Sequence, residues 1–114
     1  MIYLQIKFTS KGNTLIAGVV GELDHHSADY IRQKLDAELV KASNKNIIFD
    51  LSKMSFMDSS GIGIIMGRYK NIQKLGGKAS LVGLSDQSRR IFEMSGLLKI
   101  VPAYETIDEA LKNM

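Results

Sequence analysis

The chain has 114 residues, 45% of them hydrophobic, and carries a formal net charge of +3. This length suits one domain, spanning residues 1–114, and the absence of cysteine excludes disulfides and thiolate metal sites. The positive charges are few and scattered, which does not favour a nucleic-acid binder, and no apolar run approaches the ~20 residues of a membrane span. Since no secretory signal precedes the first apolar segment, we expect a cytoplasmic protein that contacts neither DNA nor a membrane.

The N-terminal part of the chain predicts an antiparallel hairpin followed by a helix. Apolar and polar residues alternate over 4–9, which is the period of a half-buried strand, and a second apolar strand, 14–20, follows a short turn. Asp24 stands where a helix N-cap is expected. Apolar residues then recur at helical spacing from Ala28 to Ala42, so this helix has one buried face.

The remainder of the chain alternates strand and helix. The predicted strands are 47–51, 79–84 and 98–101; the helix over 62–75 follows the first, a helix capped by Ser85 the second, and a helix capped by Thr106 the third. The order ββαβαβαβα indicates an α/β domain with about four helices and a mostly parallel mixed sheet that begins with an antiparallel hairpin. Because several strands carry polar residues at alternate positions, we expect helices to cover one face better than the other.

The stretch 54–61, Met-Ser-Phe-Met-Asp-Ser-Ser-Gly, lies where a strand is predicted to pass into a helix. Oxygens of Asp58, Ser59 and Ser60 are suited to capping the first-turn N–H groups, which have no intrahelical partner. The site therefore offers a hydroxyl beside a carboxylate where a phosphate is also well placed. Met57 and its apolar neighbours read as loop residues, one of them exposed for a partner. From the residues alone, capping without regulation is the simpler interpretation.

Three glycines, Gly61, Gly63 and Gly67, invite a nucleotide-loop interpretation. They lie inside the predicted helix, their spacing misses both the dinucleotide and the P-loop fingerprints, and no Lys-Ser or Lys-Thr pair follows. Gly63 and Gly67 are one helical turn apart, so we predict instead that they let this helix approach a neighbour closely.

A small serine hydrolase or nucleotide-binding enzyme that uses Ser59 with His25 or His26 is the alternative functional class. A strand, a turn, a serine and a helix are the layout of a nucleophile elbow, but the glycine that should precede the serine is missing. Adjacent histidines also lack the spacing of a metal-ligand set, so neither a metal nor a cofactor is predicted.

Four segments in order resemble the anti-sigma factor antagonists of the STAS superfamily, above all those of the sporulation sigma-F pathway. These segments are Gly-Glu-Leu-Asp-His-His at 21–26, the stretch 54–61, Gly-Arg-Tyr-Lys at 67–70 and Met-Ser-Gly-Leu at 94–97. The resemblance covers essentially the whole chain and implies a STAS fold. It also implies a partner-switching regulator of transcription that is not an enzyme, with a scaffold-only STAS domain of a stressosome-like assembly as a further possibility.

The resemblance carries specific roles onto this sequence. It implies that Ser59 is phosphorylated by the partner, an anti-sigma factor that is also an ATP-dependent serine kinase, and that a dedicated phosphatase reverses the modification. The unphosphorylated form would bind the kinase and release the sigma factor, whereas the phosphorylated form would not. The partner-binding residues expected on this basis, and from their place beside Ser59, are Glu22, Asp24, Met57, Asp58, Ser59, Ser60, Gly61 and Ile62.

Overall fold

A mixed sheet forms the centre of the fold in the computed structural model, which describes residues 4–41 and 44–114. Its strands are β1 (Leu4–Lys11), β2 (Thr14–Leu23), β3 (Asn46–Met57), β4 (Ala79–Val82) and β5 (Ala103–Tyr104). The helices are α1 (Ala28–Lys41), α2 (Ser60–Lys74), α3 (Asp86–Ser95) and α4 (Ile107–Lys112), and a short 3-10 helix, Leu97–Lys99, precedes β5. The predicted fold class and element order are confirmed; the expected continuation of α1 to Ala42 lies outside the described residues.

The strands lie side by side in chain order, which brings consecutive loops together. β1 and β2 are antiparallel, and β2, β3, β4 and β5 are parallel neighbours. Leu23 at the end of β2 is the register partner of Met57 at the end of β3. Because parallel strands end at the same edge of a sheet, the loop after β2 lies next to the loop after β3.

The two faces of the sheet are covered unequally, as the sequence predicts. One face packs against α1, α2 and α3 in a large apolar cluster that includes Ile31, Ile65 and Phe92. The other face holds a small cluster in which Ala110 of α4 contacts the sheet around Ile48. Three helices against one is the arrangement that strands with polar residues at alternate positions require, since the less covered face remains in water.

Strands β2 and β3 are longer than the sequence predicts. β3 continues past Leu51 to Met57, and β2 continues past Val20 to Leu23, with register shifts between Gly18 and Val20 and between Gly21 and Glu22. The prediction that 54–57 is a loop is therefore wrong. Each irregularity lets extra residues enter the ladder, so the simple period of two is lost there and the pattern resembles a loop.

The prediction of a strand at 98–101 is also wrong. After Gly96, which ends α3 in the left-handed conformation at φ 80°, the chain makes a 3-10 turn, and the N–H groups of Ile100 and Val101 both donate to the carbonyl of Leu97. The strand follows Pro102, whose carbonyl accepts a hydrogen bond from the N–H of Leu81 at 2.9 Å. A short apolar run is ambiguous between strand and helical turn, and the run 97–101 is such a case.

The glycines of α2 do not act as predicted. A Cβ added at Gly63 or Gly67 would meet no atom of residues 4–41 or 44–114 within 4 Å, so neither glycine allows a close approach between α2 and this part of the chain. Gly61 is the tightly packed one, because a Cβ there would lie 2.5 Å from Met57 Sδ and 3.2 Å from Leu23 Cδ2. The start of α2 is thus pressed against the ends of β2 and β3.

Candidate functional site

Ser59 stands exposed at the junction of β3 and α2. Its backbone is already helical, at φ −64° and ψ −14°, and its side chain makes no capping hydrogen bond. The Ser59 carbonyl accepts the N–H of Ile62 at 3.1 Å, so the backbone of this residue belongs to the first turn. The hydroxyl is therefore held at the surface by the backbone alone and is open to chemistry from outside.

The neighbouring carboxylate, Asp58, performs the capping. Asp58 Oδ1 accepts the N–H of Ser60 at 2.8 Å, and Asp58 Oδ2 accepts the N–H of His25 at 3.2 Å. The Asp58 carbonyl accepts the N–H of Gly61 at 3.1 Å, and the Asp58 N–H donates to the carbonyl of Leu23. One residue thus satisfies the start of α2 and fastens it to the loop after β2.

These hydrogen bonds set the charge state of Asp58. Desolvation by partial burial would by itself raise the pKa of the Asp58 carboxyl. The hydrogen bonds from Ser60 and from the His25 N–H favour the ionised form, as does the His25 ring, and together they hold the pKa below its usual value of 3.8. Asp58 is therefore a fixed anion beside the Ser59 hydroxyl at neutral pH.

The loop after β2 is organised by a second carboxylate, Asp24. Asp24 Oδ1 accepts the N–H groups of His26 at 2.9 Å and Ser27 at 3.0 Å. Since α1 begins at Ala28, the prediction that Asp24 is its N-cap is wrong: Asp24 closes the turn 24–27 that precedes the helix. The Ser27 hydroxyl in turn donates to the carbonyl of Glu22 at 2.9 Å. Asp24 is 7% exposed, so its carboxylate shapes this loop from inside.

The two histidines lie on the surface above Asp58. His25 Nδ1 is 3.8 Å from Asp58 Oδ2, and the ring centroids of His25 and His26 are 3.9 Å apart, with the planes tilted by 40°. A serine hydrolase needs a histidine nitrogen bonded to the nucleophile. Within residues 4–41 and 44–114 the His25 ring faces Asp58 instead, and no hydrogen bond joins Ser59 Oγ to either histidine.

The structure brings the predicted partner-binding residues together, but at two depths. Ser59 is exposed and four others are partly exposed around it, namely Glu22, Asp58, Ser60 and Ile62. Met57, at 1% exposure, Asp24 and Gly61 are buried beneath them. The idea that the Met57 side chain flanks the contact is corrected by this burial: Met57 belongs to the core and supports the surface from below.

Phe56 is the surface residue that sequence reasoning did not single out. It is 39% exposed and is the register partner of Glu22 across the β2–β3 ladder, two residues before the Asp58 cap. A signal was present in the sequence, since Met54, Phe56 and Met57 cannot all face one core. Only the strand register shows which of the three remains outside.

Other kinds of site find no support in the part of the chain that the structure describes. It contains no group of three or more His, Cys, Asp or Glu side chains arranged to hold a metal ion. None of the described helices combines the length and the apolar character that crossing a bilayer requires.

Comparison with known proteins agrees with this geometry. Residues 5–110 match the model of the STAS domain, so the chain belongs to the STAS domain family. It is similar to the anti-sigma F factor antagonist of Paenibacillus polymyxa, with 38% identity over 111 residues that cover 97% of this chain and 95% of that protein. The resemblance inferred from the four sequence segments is thereby confirmed.

Solved structures with the same fold include a relative in two chemical states. The anti-sigma factor antagonist SpoIIAA in its unphosphorylated form is 31% identical, with a TM-score of 0.80 over 97% of this chain and 95% of that one. The Bacillus cell fate determinant SpoIIAA in the phosphorylated form is 31% identical, with a TM-score of 0.72 over 97% and 98% of the two chains. The comparisons give the hydrolase alternative no support.

Proposed function

We propose that this chain is an anti-sigma factor antagonist whose binding to its anti-sigma factor is switched by phosphorylation of Ser59. The unmodified chain binds the anti-sigma factor, which releases the sigma factor, and the modified chain does not bind. The single observation that carries this proposal is the exposed Ser59 hydroxyl, which makes no capping hydrogen bond because Asp58 caps the helix instead. A relative with 31% identity that exists in unphosphorylated and phosphorylated forms supports it.

The chemistry at Ser59 requires a partner that supplies both phosphoryl donor and base. Ser59 Oγ attacks the γ-phosphorus of ATP held by the anti-sigma factor kinase, the bond to the bridging oxygen of ADP breaks, and the hydroxyl proton passes to a base on the kinase. The Asp58 oxygens are engaged by the N–H groups of Ser60 and His25 and its pKa is held low, so we assign the base to the kinase. Asp58 instead fixes the backbone that presents Ser59.

The partner surface consists of the groups exposed around that hydroxyl. Glu22, Ser59, Ser60 and Ile62 provide contacts, with Asp58 at their centre, while Asp24, Met57 and Gly61 hold this surface in shape from below. Phe56 extends the surface along β3 with an apolar ring of the kind that anchors interfaces.

Phosphorylation removes binding through charge. A phosphoserine carries a charge of about −1.5 to −2 at neutral pH, and a docked partner would bury it beside the Asp58 anion. Leaving a charge buried and unpaired in an interface costs several kcal/mol by order of magnitude, which is enough to abolish binding of moderate affinity. A phosphoserine phosphatase then restores the binding form, and the cycle operates in the cytoplasm.

The test is to map the phosphate after incubating the purified chain with its anti-sigma factor and ATP. Mass spectrometry should place one phosphoryl group on Ser59, Ser59→Ala should abolish labelling, and Ser60→Ala, the matched control one residue away, should retain it. Ser59→Ala should also bind the anti-sigma factor constitutively. Phosphate on Ser60, or no phosphate at all, would contradict the proposal.

A further inference from the structure

We propose that His25 supplies the counter-charge for the phosphoryl group on Ser59, with its ring turning from Asp58 to the phosphate. This inference rests on the proposed function, because it concerns the modified state of the same serine. It assigns a role to the His25 ring that neither capping nor partner contact explains.

The two segments that surround Ser59 carry carboxylates but no basic side chain other than histidine. The segments 21–27 and 54–62 contain no lysine and no arginine, whereas they contain the three carboxylates of Glu22, Asp24 and Asp58. A phosphoserine therefore enters an acidic neighbourhood, and like charges at this range repel. His25 and His26 are the only side chains of these segments that can become cationic near neutral pH.

A backbone hydrogen bond fixes His25 beside the residue that precedes Ser59. His25 Nδ1 already lies 3.8 Å from the carboxylate of Asp58, and its N–H is bonded to the same oxygen, so the backbone of His25 is anchored one residue from Ser59. The His25 side chain is 71% exposed and free to change rotamer, and the Ser59 hydroxyl makes no cap bond that would hold it in place. Rotation of the His25 side chain about its own torsions, with the backbone kept in place, is the movement that the pairing requires.

The charged and titratable groups around the His25 ring are its possible interaction partners before Ser59 is modified. The Asp58 carboxylate, at the junction of β3 and α2, lies 3.8 Å from the His25 Nδ1 in the unmodified chain, and the His26 ring of the same loop lies beside the His25 ring, tilted by 40°. Asp24 is turned inward onto the N–H groups of His26 and Ser27. A phosphate with about twice the charge of Asp58 is the stronger competitor for the imidazolium.

The pairing has a consequence for the switch. Asp58 alone would raise the second pKa of the phosphate and leave more of it as the monoanion near neutral pH. A cationic His25 acts in the opposite direction and keeps the phosphate dianionic, so that modification carries its full charge into the interface. His25 thus determines how much negative charge phosphorylation brings into the interface, and so how completely phosphorylation prevents binding.

The experiment uses the full chain with phosphoserine installed at position 59 by codon reassignment, which does not depend on the kinase. NMR titration should show the midpoint of the His25 ring titration moved upward by about 0.5 pH unit or more relative to the unmodified chain. In the phosphorylated chain, His25→Gln should move the midpoint of the phosphorus signal upward by a similar amount. Phosphoserine at position 85, at the start of α3, is the matched control and should leave His25 unchanged.

Each outcome decides the question. An upward shift at His25 with the reciprocal phosphorus shift supports the pairing. An unchanged His25 midpoint, a shift at His26 alone, or a phosphorus titration that His25→Gln does not move overturns it. A failed kinase assay on Ser59 together with a clear His25 shift would contradict the proposed function and leave the pairing intact, so the two failures are distinguishable.

Discussion

Two helices of this molecule begin with serine and aspartate, and they use the two residues in opposite ways. At α3 the Ser85 hydroxyl accepts the N–H of Ser88 at 3.1 Å, and the Ser88 hydroxyl accepts the N–H of Ser85 at 3.0 Å, a closed reciprocal cap. At α2 the cap is the Asp58 carboxylate, and the Ser59 hydroxyl makes no such bond. The Ser85 hydroxyl therefore contributes to folding, whereas the Ser59 hydroxyl takes no part in capping its helix.

Residue type alone does not distinguish a serine that caps a helix from one whose hydroxyl makes no cap bond. Both stretches have the composition of an N-cap, and both serines lie at the surface. What differs is whether a neighbour has taken over the unsatisfied N–H groups. When the residue three positions after a serine accepts the N–H of that serine, the serine hydroxyl is used in a reciprocal cap. When an aspartate just before the serine caps the helix, the serine hydroxyl is not needed for capping.

The starts of α2 and α3 should differ most in how an added charge affects affinity for the anti-sigma factor. Ser59→Asp should weaken binding to the anti-sigma factor by about 100-fold or more, because a charge is buried against Asp58 in the interface. Ser85→Asp introduces the same charge at the start of α3, where a carboxylate also caps, and should change affinity by less than about threefold. Isothermal titration calorimetry of both variants checks this; equal losses would remove the distinction.

For the free energy of unfolding, a change at Ser85 should matter more than a change at Ser59. Ser85→Ala loses a cap bond and leaves the Ser88 hydroxyl, which is 1% exposed, with one partner fewer, so it should lower the free energy of unfolding by about 1 kcal/mol, within 0.5–2. Ser59→Ala should change it by less than about 0.5 kcal/mol. Urea unfolding of the two variants measures the difference, and a comparable loss for Ser59→Ala would mean that its hydroxyl does cap α2.

The smallest effect concerns the charge of the Asp58 cap. Since the native pKa of Asp58 is lowered below 3.8, its stabilising contribution is complete above that pH and is lost as pH falls through the native value. Asp58→Asn keeps an acceptor but removes the charge, so we expect a loss of about 0.5 kcal/mol at pH 6 that fades on acidification. Urea unfolding from pH 6 to pH 3, with Asp86→Asn as control, tests it; a constant difference would assign the effect to shape.

Much of the fold was predictable because local patterns agree with the final structure. The hairpin, the alternation of strand and helix and the caps at Ser85 and Gly96 are all encoded within a few residues of where they act. The extended β3 was not predictable, because the irregular pairing of Glu22 with Phe56 depends on two strands at once. Local periodicity carries no information about such a register.

The site also combines features that local sequence predicts with features that depend on distant parts of the chain. Asp58 and Ser59 are adjacent in sequence, so a capping role and a hydroxyl beside a carboxylate could be predicted. That Asp58 also bonds the N–H of His25, 33 residues away, follows only from the parallel ends of β2 and β3. Arg68 is a similar case in α2: it is 8% exposed and its Nε lies 3.1 Å from Asp36 Oδ1 on α1, a pairing that no local pattern contains.

The idle hydroxyl at the head of α2 separates regulation from protein turnover. Because adding a phosphoryl group there removes no native hydrogen bond, both chemical forms should resist proteolysis equally and have the same lifetime in the cell. On the proposed function, a kinase and a phosphatase then set their ratio, and the phosphorylated form stays available for reuse without new synthesis.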